Sequence, residues 1–261
     1  MIGPMFRERY DSYQSERPMR EETPITFWLI AINAAIYVLV SLGASDPARV
    51  LNEWGLVPAR LVHGATGEAL LTVLTSMFLH GGLMHVLGNL LFLSLFGRIA
   101  EAELGSRRFG WAYLLSGVGA AIAQIAVDPS SFVPMVGASG AISGALGAAV
   151  VLAPRQRIVF MTPFLLFIPI SMSVLAFGAV WFGMQLLGAF GDDGVGGGIA
   201  FWAHVGGFVT GFLLTSRWTS ALATWRSAQA RPRPGPAPNP DYRVFYVTDG
   251  SGRTFMFHER A

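Results

Sequence analysis

Six stretches of this chain contain no Asp, Glu, Lys or Arg: residues 23–45, 69–97, 109–127, 129–154, 158–191 and 194–216. A bilayer core asks for about 20 predominantly apolar residues per helix, within a range of about 17–25. Ile25–Gly43, Phe109–Val127 and Gly198–Ser216 read as ordinary spans. The second and fourth stretches are less regular. The dense apolar run of the second begins after His80-Gly81-Gly82 and predicts a helix over about Leu83–Gly97. In the fourth, two prolines and a Gly-Ala-Ser-Gly turn leave about Ser139–Ala153. Both are short for a crossing, so their starts are expected inside the membrane thickness. Non-helical backbone persists at that depth only when buried in protein or lining a wet cavity. The fifth stretch is too long for one span, and Pro163 and Pro169 divide it into an interfacial piece and a helix of about Ile170–Phe190.

Composition narrows the function. Charged residues make up 13% of the chain, against about 25% in soluble globular domains. That excludes a disordered chain and argues against an ordinary cytosolic enzyme. All 18 basic residues are Arg, yet the net charge is only +2. This is no clustered basic face of the kind nucleic acid requires. The absence of Cys removes disulfides, thiolate nucleophiles and Cys-ligated zinc.

Six spans put both termini on one side. With that side cytoplasmic, only Arg49 and Arg60 fall outside, as the positive-inside rule favours. The first 22 residues lack a signal-peptide pattern, so the first span is expected to remain as an anchor. The long outer loop 44–68 contains Trp54, Val57, Pro58 and Leu61, apolar enough to rest in the interface. The organisation expected is therefore a cytoplasmic N-terminal segment (1–24), a six-helix membrane domain (25–216), an Arg/Pro-rich linker (217–240) and a C-terminal segment (241–261). In the last of these, two β-prone runs flank an Asp-Gly turn and read as a hairpin, Tyr242–Thr248 with Arg253–His258. A lone hairpin is marginal in water, so it is expected to pack on something.

Polar side chains inside spans are expensive and usually functional. His85 and Asn89 stand four apart and share a helix face, while His80 precedes the Gly81-Gly82 break. Polar glue between helices, worth about 0.6 kcal/mol per pair, explains one such group more easily than three within ten residues. Ser139 opens the fourth span, where unpaired N–H groups and the positive end of the helix dipole favour a developing oxyanion. Alone, Ser139 also reads as an N-cap or a packing residue. Ser139, Gly140, Ser143, Gly144 and Gly147 form a small-residue ridge, and Gly207 and Gly211 follow His204 in similar spacing. Packing of the fourth span on the sixth through these ridges would bring His204 beside Ser139, the minimal activated nucleophile. A zinc site is disfavoured, because HExxH is absent and the nearest carboxylates, Glu101 and Glu103, lie just after the second span on the inner side. No Asp lies inside any span to support aspartyl chemistry.

The stretch from Thr75 through His80 and His85 to Asn89 resembles the HxxxxHxxxN motif of the rhomboid family. Gly137-Ala138-Ser139-Gly140 is similar to its GxSG, and the segment Ala203-His204 through Gly207 to Gly211 to its AHxxGxxxG. The three fall in order on spans two, four and six, and the resemblance covers about residues 25–216. It implies an all-α polytopic membrane protein, a six-transmembrane-helix rhomboid-like bundle, here with a short C-terminal β-hairpin tail. It also implies an intramembrane serine protease in which Ser139 is the nucleophile and His204 the general base. His85, Asn89 and the Ser139 N–H would form the oxyanion hole. By the same resemblance His80 organises the first loop, Glu101 and Gly105 tie the second span to its neighbouring loop, and Gly137, Gly140, Gly207 and Gly211 are structural glycines.

The chain departs from the family at one stretch and one position, and its hairpin tail has no counterpart in the family core. The usual Trp-Arg pair before the second span is replaced by Leu70-Leu71-Thr72-Val73, and Ser143 stands where some members carry an aromatic that stacks on the catalytic histidine. With no third triad member evident, packing is expected to hold His204. The expected reaction cuts a transmembrane protein substrate within or beside its helix, using no cofactor and no metal, in a protein embedded in the lipid bilayer and not bound to nucleic acid. A bacterial plasma membrane is the expected setting, with the active site opening outward and the glycine-rich loop Gly191–Gly198 or the fifth span as a candidate gate. The competing reading is a catalytically silent rhomboid-like protein that binds transmembrane clients. No motif in the C-terminal hairpin identifies its partner.

Overall fold

Helix α1 spans Pro24–Gly43, its last five residues wound as a π-turn. Pro24 occupies the first turn, where a missing N–H costs nothing, and Thr23 makes no side-chain cap. The N–H groups of Ile25 and Thr26 donate instead to the Glu101 carboxylate, at 3.0 and 2.7 Å. Glu101 is only 1% exposed and also accepts from Ser106 Oγ at 2.6 Å. A carboxylate at a helix N-terminus satisfies orphan donors and complements the helix dipole. Glu101→Ala is expected to lower stability by about 3 kcal/mol or more, since each buried donor left unpaired costs about 1–3 kcal/mol. Thermal unfolding in detergent checks this, and an unchanged midpoint would mean that α1 finds another cap.

The computed structural model describes residues 23–64, 67–161, 169–191, 199–229, 242–248 and 254–260. The expectations for the segment before residue 23, the 192–198 loop and the linker at 230–241 lie outside these residues. After α1 come the short helices α2 (Pro47–Trp54), α3 (Pro58–Gly64) and α4 (Gly67–Thr75), the last running into a 3-10 turn at Ser76–Phe78. Then follow α5 (Leu83–Leu104), α6 (Ser106–Val127) and α7 (Ser139–Leu152). Strands β1 (Arg157–Met161) and β2 (Pro169–Ser173) precede α8 (Val174–Gly191) and α9 (Phe201–Gln229), and β3 (Tyr242–Thr248) and β4 (Thr254–Arg260) close the chain.

Among the described residues, α1, α5, α6 and α8 are long and apolar enough to cross a bilayer, and α7 is a shorter apolar helix. Polarity is inverted relative to a soluble bundle. Thr26, Asn33, Glu101, Ser116, Ser143 and Gln185 are buried, whereas Phe27, Trp28, Leu42, Leu187 and Phe190 lie on the outside. In water that surface would be a liability; in lipid it is the stable arrangement.

Several boundaries differ from the sequence expectation. The second span does not stop near Gly97. A π-turn at Leu93–Gly97 lets the helix continue to Leu104, so it is not short, and Glu101 is buried within it and not past its end. In place of a helix starting near Ile170, β1 and β2 pair antiparallel from Arg157↔Ser173 to Met161↔Pro169. Arg157 donates to Ser171 Oγ and to the Ser171 carbonyl, both at 3.0 Å, and α8 begins only at Val174. The outer loop is not simply interfacial. Leu56 is 0% exposed and Val57 and Pro58 are buried, because Leu56 and Met135 form an antiparallel bridge.

Helix α7 is buried from Gly140 through Ala149. Glycine makes this possible. A Cβ on Gly207 would overlap the Gly140 carbonyl, one on Gly211 the Gly144 carbonyl, and one on Gly144 the Ser116 side chain. Helix α9 therefore approaches α7 at backbone distance, and the small side chains of Ser116 and Ala120 on α6 rest against the α7 glycines, the geometry small-residue faces permit. Below the ridge, Phe96, Leu146, Ala149, Ile158, Val174 and Phe208 form an apolar core. The chain divides into two compact units, Met1–Arg217 and Trp218–Ala261. The second contains the hairpin, whose register runs from Tyr242↔Arg260 to Thr248↔Thr254. Its second strand begins at Thr254 and reaches Arg260, two residues beyond the expected end.

Candidate active site

The segment leading to Ser139 is extended and pinned from two directions. Leu56 and Met135 exchange backbone hydrogen bonds at 3.0 and 2.7 Å, and the Gly137 N–H donates to the Ser76 carbonyl at 2.9 Å. Gly137 then turns the chain with φ +125°, a conformation side chains rarely adopt. A Cβ there would also stand 2.7 Å from His85 Nε2. Gly137→Ala is expected to cost about 1–3 kcal/mol of stability and to displace the His85 ring. Diethylpyrocarbonate should then modify His85 faster than in wild type, and an unchanged rate would mean the ring accommodates the methyl.

Ser139 is the first residue of α7. The first intrahelical bond runs from the Ile142 N–H to the Ala138 carbonyl at 2.9 Å, so the N–H groups of Ser139, Gly140 and Ala141 stay outside the helical ladder. The ridge contacts of α9 set His204 beside this end, with Nε2 2.8 Å from Ser139 Oγ. The other ring nitrogen, Nδ1, lies 2.7 Å from Gln185 Oε1 on α8. The Trp181 ring, one turn earlier on α8, lies 5.8 Å from the imidazole centroid at a 40° tilt. His204 is therefore not held by packing alone, and the aromatic missing at Ser143 has a counterpart from another helix. Ser143 instead donates to the Ser139 carbonyl at 2.6 Å.

His85 and Asn89 face the same place from α5. Together with Ser139, His204 and Trp181 they line a cavity of about 240 Å³. Asn89 Nδ2 donates to the His85 carbonyl at 2.9 Å. His80 is buried and stands edge-on to His85, ring centroids 5.2 Å apart. A second cavity, of about 880 Å³, joins Ser139, His204 and His85 to Gly81, Gly82 and the 131–137 segment. Gln124 also lines it, accepting from the Ala203 N–H at 3.3 Å in the first turn of α9. Gly140 and Gly207 meet immediately behind the Ser139–His204 pair, and Gly211 meets Gly144 one turn below. Glu101 and Gly105 are not part of the cavity. Glu101 caps α1, and Gly105, at φ +76°, makes the corner between α5 and α6.

Gln185 and Trp181 escaped the sequence reading, in which the amide that stood out was Asn89, one turn from His85, and not the amide of the fifth span. The signal was present: Gln185 is the one amide, acid or base in Val174–Gly191 and stands four residues after Trp181. Chemically, a hydroxyl bonded to an imidazole beside free helix N–H groups and next to a cavity is suited to acyl transfer.

A family profile described as Rhomboid domain matches residues 67–219. RHOMBOID-like protein 4 of Arabidopsis thaliana is 34% identical over 160 residues, 61% of this chain and 36% of that protein. Rhomboid protease GluP of Bacillus subtilis (strain 168) is 34% identical over 137 residues, 52% of this chain and 26% of that one. Rhomboid-like protein 11, chloroplastic, of Arabidopsis thaliana is 32% identical over 149 residues, 57% of this chain and 49% of the relative. The chain thus matches less than half the length of each. Plant and bacterial proteins stand side by side among these relatives, so the similarity selects no particular membrane. With its apolar helices the protein is an integral membrane protein, and it belongs to the rhomboid family.

Proposed function

We propose that this protein is an intramembrane serine endopeptidase that cuts within or beside the transmembrane segments of other membrane proteins. The observation that carries the reading is the 2.8 Å contact of Ser139 Oγ with His204 Nε2 at the start of α7, next to a cavity of about 880 Å³. His204 Nε2 takes the Ser139 proton as Oγ attacks the scissile carbonyl, and the oxyanion forms where the Ser139 N–H points. His85 and Asn89 line the same cavity and supply side-chain donors, Asn89 through the N–H not given to the His85 carbonyl. Each such donor is worth about 2.7–4 kcal/mol of transition-state stabilisation. The imidazolium then returns its proton to the leaving amine, and water releases the acyl-enzyme by the reverse sequence.

The fold supplies the remaining requirements. Helix α7 is short, so its N-terminus and Ser139 lie below the outer surface, and the larger cavity gives water a route to them. A substrate helix hides its carbonyls in its own hydrogen bonds, so the cut segment must unwind to enter. In this reading α7 and α9 join the four long apolar helices as crossings, making six, with both termini on one side. The setting is a cell membrane with the arginine-rich side inward.

The test is reconstitution in liposomes with a tagged single-span substrate, together with labelling by a fluorophosphonate that reacts with activated serines. Cleavage and Ser139 labelling support the protease. Absence of both, with the substrate still captured by the folded protein, overturns it in favour of a client-binding rhomboid-like protein.

A further inference from the structure

Taking Ser139 and His204 as the reacting pair, we infer that Gln185 is a positioning residue that sets the tautomer and plane of His204 through Nδ1. An imidazole can accept a proton from Ser139 only if Nε2 carries the lone pair, which requires the ring proton on Nδ1. Which nitrogen is protonated follows from the hydrogen bond the other one makes. Here Nδ1 lies 2.7 Å from Gln185 Oε1, a carbonyl oxygen that accepts and cannot donate. The Nδ1–H therefore donates to Gln185, and Nε2, 2.8 Å from Ser139 Oγ, is left to accept.

The geometry is specific. Gln185 is 8% exposed, lies on α8 and reaches α9 across the bundle, while Trp181 from the same helix face covers the imidazole. The His204 ring is thus bounded on three sides by Ser139, Gln185 and Trp181. A carboxylate serves this purpose in the Ser-His-Asp arrangement. At this depth a carboxylate would be a charge removed from water, and the neutral amide gives the orientation without that desolvation. The amide does less for the imidazolium that forms, so the residue acts by orientation and not by charge. A merely structural Gln185 would be interhelical glue of the kind common in membrane bundles, and the two roles part in kinetics.

The test compares Gln185→Leu, Gln185→Asn and Gln185→Glu with wild type in liposomes. Readouts are the fluorophosphonate labelling rate, kcat and KM for a tagged single-span substrate, and the pH profile of labelling. Gln185→Leu is expected to lower labelling and kcat at least tenfold with KM within about twofold, because the ring loses its tautomer and not the substrate its site. Gln185→Asn, one methylene short, should follow Leu. Gln185→Glu should retain labelling, with the acid limb of its pH profile displaced to higher pH because a carboxylate favours the imidazolium. Leu and Asn variants that label at the wild-type rate, or a Glu variant with an unmoved profile, would overturn the inference. Should the Leu variant fail to fold, the Glu variant, nearly isosteric, still decides by its profile. A wild type inert to the probe would instead remove the protease reading itself.

Discussion

Ser139→Ala is expected to abolish cleavage and fluorophosphonate labelling, with a loss of about 10⁶-fold, the size seen when a serine-protease nucleophile is removed. His204→Ala should lose nearly as much, and the double variant should be no worse than either. That non-additivity is the informative part. On the proposed mechanism Ser139 and His204, bonded at 2.8 Å, act as one unit, so removing the second after the first has nothing left to take away. Two residues contributing only to packing would lower stability, also with coupling between neighbours, but would not silence cleavage in protein that stays folded. The measurement is single-turnover cleavage in liposomes, with thermal unfolding of each variant alongside. An active Ser139→Ala protein would refute the nucleophile assignment outright. His85→Ala should cost less, about 10²- to 10³-fold, because the backbone N–H donor remains.

Gly207→Val is expected to be the most disruptive substitution outside the reacting pair. Its Cβ would occupy the position of the Gly140 carbonyl, and that atom is backbone in the first turn of α7, with no rotamer by which to move away. Overpacking in a core typically costs about 1–3 kcal/mol. Here α9 must separate from α7, so about 3 kcal/mol or more is expected. The same separation pulls His204 from Ser139, so labelling should vanish even in protein that remains folded. Gly183→Ala on α8 is the control, since nothing lies within 4 Å of a Cβ placed there. It should leave labelling unchanged and raise stability slightly by restricting the unfolded chain. Equal melting temperatures for Gly207→Val and wild type would mean the helices do not pack as described.

Much of this protein was legible in one dimension because lipid imposes simple rules. Absence of charge over 20 or so residues marked α1 to within one residue and α6 to its last residue, three short of its start because Arg107 and Arg108 lie in its first turn. The ridge Gly140, Gly144 and Gly147 announced a helix approached at backbone distance, and Gly207 and Gly211 on α9 announced its partner. Alternation around an Asp-Gly pair gave a hairpin of Tyr242–Thr248 with Arg253–His258, and the structure pairs the first strand, as expected, with Thr254–Arg260. The extension of α5 to Leu104 was not legible. Arg98 and Glu101 look like the end of a span until a distant helix N-terminus is found to need the Glu101 carboxylate. Nor was the β1–β2 pairing, because the apolar residues at 158–170 carry no period that separates strand from helix.

The site divides along the same line. Residue types and their spacing named Ser139, His204, His85 and Asn89, because chemistry constrains which side chains can do a task and helical pitch constrains which can share a face. That Ser139 Oγ and His204 Nε2 stand 2.8 Å apart was decided only by the packing of α7 against α9 across a sequence separation of 65. That Gln185 and Trp181 complete the surroundings of His204 was decided by where α8 comes to rest. An amide in an apolar span has no preferred partner in sequence; only the folded bundle gives it one, since a buried hydrogen-bonding group must be satisfied by whatever the neighbouring helices bring within reach.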